Sequence, residues 1–66
     1  MKATVNGVPR ELPDGLTVGT LLERLGAARS GIAVACNECV VRRADYDDVR
    51  IAEGDRVEII KAVAGG

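Results

Sequence analysis

The chain contains no histidine. The commonest general base near neutral pH and the commonest neutral metal ligand are therefore both missing, which excludes hydrolysis by a nucleophile paired with histidine. No glycine-rich stretch has the spacing of a phosphate loop or of a dinucleotide fingerprint, so nucleotide binding by the chain itself has no support. Cysteine is scarce. Two thiols cannot build a disulfide framework, and stability has to come from packing. Charge of neither sign dominates: nine basic residues against ten acidic ones leave a formal charge of -1, which offers no footprint for nucleic acid. Long apolar runs are also lacking. The longest, Ile32 to Cys36, is far too short to cross a bilayer, and the opening MKATVNG lacks the apolar core of a secretory signal. A cytoplasmic protein with no membrane partner is expected.

What is present is the balance of a globular domain, 47% hydrophobic and 29% charged over 66 residues. Residues 1–66 are read as one domain. A chain this short owns one small core but hardly a deep cavity of its own, which argues against catalysis in cis. KATVNGVPREL reads as a hairpin turning at Asn6-Gly7, with Pro9 marking an edge on its second strand. Val18, Leu21, Leu22 and Leu25 then fall on one stripe of an α-helix, capped by Thr17 and closed by Gly26. Gly19 inside that helix costs about 1 kcal/mol relative to alanine, and marks either close packing or a bare weakness. IAVACNECVVR is a second hairpin candidate, with Ile32, Val34 and Cys36 on one face and Asn37-Glu38 as the reversal. Glu38 stands where glycine would be easier. Residues 44–50 read as an irregular connector or a short helical turn. After a turn at Glu53-Gly54-Asp55, the β-rich run from Arg56 to Val63 is the last strand. A sheet of about five strands with the helix on one face satisfies both amphipathic patterns, which makes the fold α+β.

Few residues could carry chemistry. Asp45, Asp47 and Asp48 read as a solvated surface of the connector, and no metal site is expected. Cys36 and Cys39 supply half of a structural zinc site with nothing in the chain to complete it. They are read as small apolar strand residues, with a thiol or metal-binding module as the alternative from another functional class. The remaining candidate is the end, Gly65-Gly66. Two glycines following a β-rich strand should form a flexible tail over residues 63–66, and a carboxylate on so thin a stalk reads either as simple fraying or as a working group.

With TVGTLLERLG as a helix, GIAVACNECVVRR as a central hairpin and EGDRVEIIKAVAGG as a glycine-aspartate turn, last strand and tail, the chain resembles the ubiquitin-like β-grasp sulfur carriers, most closely those of thiamine biosynthesis. Cys36 stands where that family often has an aliphatic residue, and Val41-Arg42-Arg43 where it often has Val-Pro-Arg. The resemblance implies a mixed β-grasp sheet and a protein that is a cosubstrate, not an enzyme. It implies that a ubiquitin-activating-like adenylyltransferase spends ATP in trans on the Gly66 carboxylate, that no cofactor is bound, and that a sulfur donor such as a cysteine desulfurase persulfide converts the adenylate to a thiocarboxylate. Thiazole synthase would receive the sulfur. The small subunit of molybdopterin synthase shares the fold and the Gly-Gly end, and its usual greater length weighs against it.

The residues themselves fit such a tail. Val63, Ala64, Gly65 and Gly66, fully extended, reach at most about 13 to 14 Å, enough to carry a carboxyl group into a partner's buried site. Without Cβ atoms, Gly65 and Gly66 let that partner close its backbone around them. On the last strand Val57 and Ile59 share the inward parity, leaving Ile60 and Ala62 on the other face. Ile60 is then a docking point beside the tail, part of a second small core, or an isolated surface residue.

Overall fold

Asn6 and Gly7 both take positive φ, 51° and 79°, the pair of left-handed conformations that a two-residue reversal matching the strand twist requires. They join β1 (Lys2–Val5) to β2 (Val8–Glu11) in an antiparallel pair with Val5 opposite Val8. The computed structural model describes residues 1–61. The second hairpin, β3 (Ile32–Cys36) and β4 (Cys39–Val41), turns the same way through Asn37 and Glu38, at φ 52° and 70°. Here a glutamate occupies the left-handed position that glycine would take without strain. The last described strand is β5 (Arg56–Lys61). Val63, assigned to this strand from sequence, lies outside the described residues.

The strands form one mixed sheet in the order β2-β1-β5-β3-β4. β5 runs parallel to β1 and antiparallel to β3, so the last strand in sequence is the central one in space. β2 is an edge, as Pro9 requires: a residue without an N–H costs the ladder nothing where no further strand follows.

Helix α1 spans Val18–Leu25 and lies on the inner face. Its start is satisfied twice over. Thr17 and Thr20 close a reciprocal capping box, the Thr20 N–H donating to Thr17 Oγ1 at 3.2 Å and the Thr17 N–H to Thr20 Oγ1 at 2.8 Å. The two remaining first-turn donors, Val18 and Gly19, bond the carbonyls of Val49 and Tyr46 at 3.0 and 2.8 Å. The helix ends at Gly26 with φ 70°, the left-handed cap expected there. Val18, Leu21 and Leu22 are fully buried against Ala3, Val5, Val34, Val41 and Val57, the inward side chains of the sheet.

The connector after β4 is both of the things its sequence suggested, a 3-10 turn at Arg43–Asp45 followed by irregular chain. It is also structural in a way its polarity concealed, because Tyr46 and Ile51 are buried in the core. Gly19 is explained by the same segment. Arg29 and Asp47 pair directly above it through two hydrogen bonds of 2.7 and 3.0 Å, and a Cβ at position 19 would collide with both side chains. Close packing, not bare weakness, is why the helix tolerates a glycine here.

Candidate functional site

The residues read as the working end, Val63, Ala64, Gly65 and Gly66, lie outside the described residues, as does Ala62 of the docking pair. The structure does describe the strand that leads to them and the surface beside it. Along β5 the alternation is as expected: Val57 is buried, Ile59 packs partly against the core, and Ile60 points to the outer face with 59% of its surface exposed. Ile60 therefore belongs to no second core. It stands opposite Ala33 of β3, and in the next row Ala35 lies between Glu58 and Val40. Ile60, Ala33, Ala35 and Val40 form an apolar patch on the outer face near the end of β5, bordered by Glu58 in the row of Ala35 and Val40, with Arg56 farther back along the strand. Val40, 78% exposed, was not singled out in the sequence. Its signal was available in the doublet Val40-Val41: two adjacent strand residues cannot both face the core. On the inner side, a shallow groove of 310 Å³ between the loop after the helix and the strand end is lined by small residues, Gly26, Ala27 and Gly31 among them, with Ile59 and Lys61.

Side chains from the two hairpin turns hold β5 in place from either side. On the β3 side, Asn37 accepts the Arg56 N–H on Oδ1 at 2.9 Å and donates through Nδ2 to Asp55 Oδ1 at 3.0 Å. The other Asp55 oxygen accepts the Ala52 N–H at 2.8 Å. Those bonds, the Ala52 N–H first and the Asn37 amide second, hold the Asp55 carboxyl below its ordinary pKa, because each favours the charged form. On the β1 side, the Asn6 N–H donates to the Val57 carbonyl at 2.9 Å and Asn6 Oδ1 accepts the Ile59 N–H at 2.8 Å. None of these side-chain partners was named from sequence: apart from the Asp55 bond to the Ala52 N–H, each joins positions far apart in the chain.

Cys36 and Cys39 face each other across the second turn, both free. Cys36 is half-buried, with Sγ 3.7 Å from Asp55 Oδ2. Burial first, and then the Asp55 charge, push its thiol pKa up, away from the thiolate that nucleophilic or metal chemistry needs. Among the described residues no three metal-binding side chains cluster, and no helix is long and apolar enough to cross a membrane.

The sequence model of the ThiS family matches residues 3–66. The sulfur carrier protein ThiS of Thermus thermophilus is 36% identical over 62 residues, 94% of this chain and 95% of that one. A thiazole synthase of Magnetococcus marinus is 38% identical over all 66 residues, and the chain spans only a fifth of that protein's length. Among solved structures, the thiamine biosynthesis protein ThiS from Geobacter metallireducens superposes over the whole of both chains with a TM-score of 0.87 at 33% identity. The mixed sheet and single helix are thus the β-grasp arrangement that the sequence pattern resembled.

Proposed function

The chain belongs to the ThiS family of thiamine-biosynthesis sulfur carriers, and we propose that its reacting group is the Gly66 carboxylate. A free carboxylate is a poor electrophile, because it is anionic and would have to expel oxide. Activation would come in trans. One carboxylate oxygen attacks the α-phosphorus of ATP held by a ubiquitin-activating-like adenylyltransferase, and pyrophosphate leaves. The resulting acyl-adenylate has AMP as its leaving group. The terminal sulfur of a persulfide, such as one formed on a cysteine desulfurase, displaces AMP, and reduction of the mixed acyl disulfide by a thiol releases the C-terminal thiocarboxylate. Thiazole synthase would take that sulfur. A thiazole synthase that carries a stretch similar to this chain within its own sequence supports that partnership.

The observation that carries the proposal is the position of β5. The central strand of the sheet, paired on both sides, is described as far as Lys61, five residues before Gly66, so the ordered body comes within a few residues of the carboxyl group. Docking would use the apolar outer face around Ile60, continued by Ala62, while Val63, Ala64 and Gly65 would be gripped as the tail.

Adding one alanine after Gly66 tests the assignment. The reacting group is then displaced by up to about 3.6 Å, beyond what an attack geometry tolerates. With enzyme, ATP and sulfur donor supplied, intact-mass measurement should find the native chain with one oxygen exchanged for sulfur in its C-terminal peptide, and the extended chain unmodified at an unchanged Tm. Sulfuration of the untrimmed extended chain at the native rate, or of Cys36 or Cys39 in the native one, would exclude Gly66 as the reacting residue.

A further inference from the structure

We propose that Asn6 is a positioning residue for the C-terminal chemistry, an inference that rests on the reading of Gly66 as the reacting end. The parallel ladder between β1 and β5 advances by two residues at a time: the Thr4 N–H donates to the Asp55 carbonyl at 3.0 Å, and the Asn6 N–H to the Val57 carbonyl at 2.9 Å. The next bond of such a ladder would run from the Ile59 N–H to the main-chain carbonyl of residue 6. That carbonyl is turned away, because Asn6 already has the left-handed φ of 51° that begins the reversal into β2. Its side-chain oxygen takes the vacated place and accepts the Ile59 N–H at 2.8 Å.

The ladder is in this way carried one rung past the point where β1 leaves the sheet. The next β5 N–H aimed to that side belongs to Lys61, and β1 has no residue left to receive it. Among the described residues Asn6 is therefore the last restraint from β1 on β5, and it acts one residue from Ile60. The turn alone does not require this oxygen. Glycine satisfies the left-handed conformation equally well, so the choice of asparagine is accounted for by the bond it makes across 53 residues of sequence. Without it, the end of β5 is held by β3 only, and a partner that binds the ordered strand must first bring it back into line.

Asn6→Gly keeps the turn and deletes the oxygen; Asn6→Asp restores an oxygen at the same place. In native-state hydrogen exchange, Asn6→Gly should raise the exchange of the Ile59 amide about fivefold while the Leu22 amide in α1 is unaffected. In steady-state adenylation, its apparent KM for the activating enzyme should rise by the factor by which the ordered fraction of the strand falls, with kcat unchanged, because only that fraction is competent to bind. Asn6→Asp should return both values to native. An Ile59 amide that exchanges no faster in Asn6→Gly, or a KM that does not move while the native chain is adenylated normally, overturns the inference and leaves the role of Gly66 standing. A native chain that the enzyme does not adenylate at all overturns both.

Discussion

At the scale of single residues, Asp55 does more than its place in a surface turn would suggest. One carboxylate joins the turn before β5 to the turn between β3 and β4, through the Ala52 N–H and the Asn37 amide. Its folded pKa lies below its unfolded value, so the unfolded chain binds more protons between the two, and stability falls as pH drops through that window. The contribution is fully present above about pH 4 and is lost progressively below it. Asp55→Asn should cost about 1 kcal/mol near neutral pH and flatten the acid limb of the stability profile. Urea unfolding from pH 7 to pH 2.5 checks both, and a variant whose acid limb matches the native one would assign the loss to other carboxylates. This partnership was not legible in the sequence. Asp55 was read as a turn former and Asn37 as half of a weak reversal, and no local pattern says that two such residues, 18 apart, share a proton donor and its acceptor.

At the scale of elements, what could be read was what repeats locally. Asn6-Gly7 announced its reversal because only a few residue types take positive φ cheaply, and Val18, Leu21, Leu22 and Leu25 announced their helix through spacing. Tyr46 and Ile51 were hidden in a polar connector without period, and they are buried where that connector lies against the helix start, whose N–H groups bond the carbonyls of Tyr46 and Val49. The parallel pairing of β1 with β5 was hidden for the same reason, since it joins the two ends of the described chain. On β5 the parity argument placed Ile60 outward but could not say whether anything covered that face; among the described residues the sheet has its helix on the other side only. Ile60→Asp should therefore leave the fold intact, with a Tm within a few degrees of native. The charge should weaken binding to the activating enzyme by tenfold or more, since it would be buried unpaired at an apolar contact. Calorimetric titration beside circular dichroism distinguishes the outcomes: a native affinity would move docking to another face, and a lost fold would return Ile60 to the core.

At the scale of the whole molecule, the sheet is assembled out of sequence order. Each hairpin closes over two residues, whereas β5 pairs with strands far from it in sequence, and loop closure is expected to make such distant pairings the slower event. Val57 is buried at the centre of that late contact. Val57→Ala should cost about 2 kcal/mol, expressed mainly as faster unfolding with little change in the folding rate. Stopped-flow chevrons read the partition directly, and a φ-value near one would reverse the order of assembly. The late insertion also bears on quality control. A thiocarboxylate of the kind proposed for Gly66 would be a reactive cargo, and the strand leading to it makes the pairings most distant in sequence, so it is expected to take its place after the two hairpins. A chain caught with both hairpins formed and β5 still loose lacks the aligned Ile59, the ordered Ile60 and the fixed point of departure at Lys61. On the proposed role of Gly66, correct folding and eligibility for loading would become one condition, inspected at one strand, and a misfolded chain would be refused before adenylation.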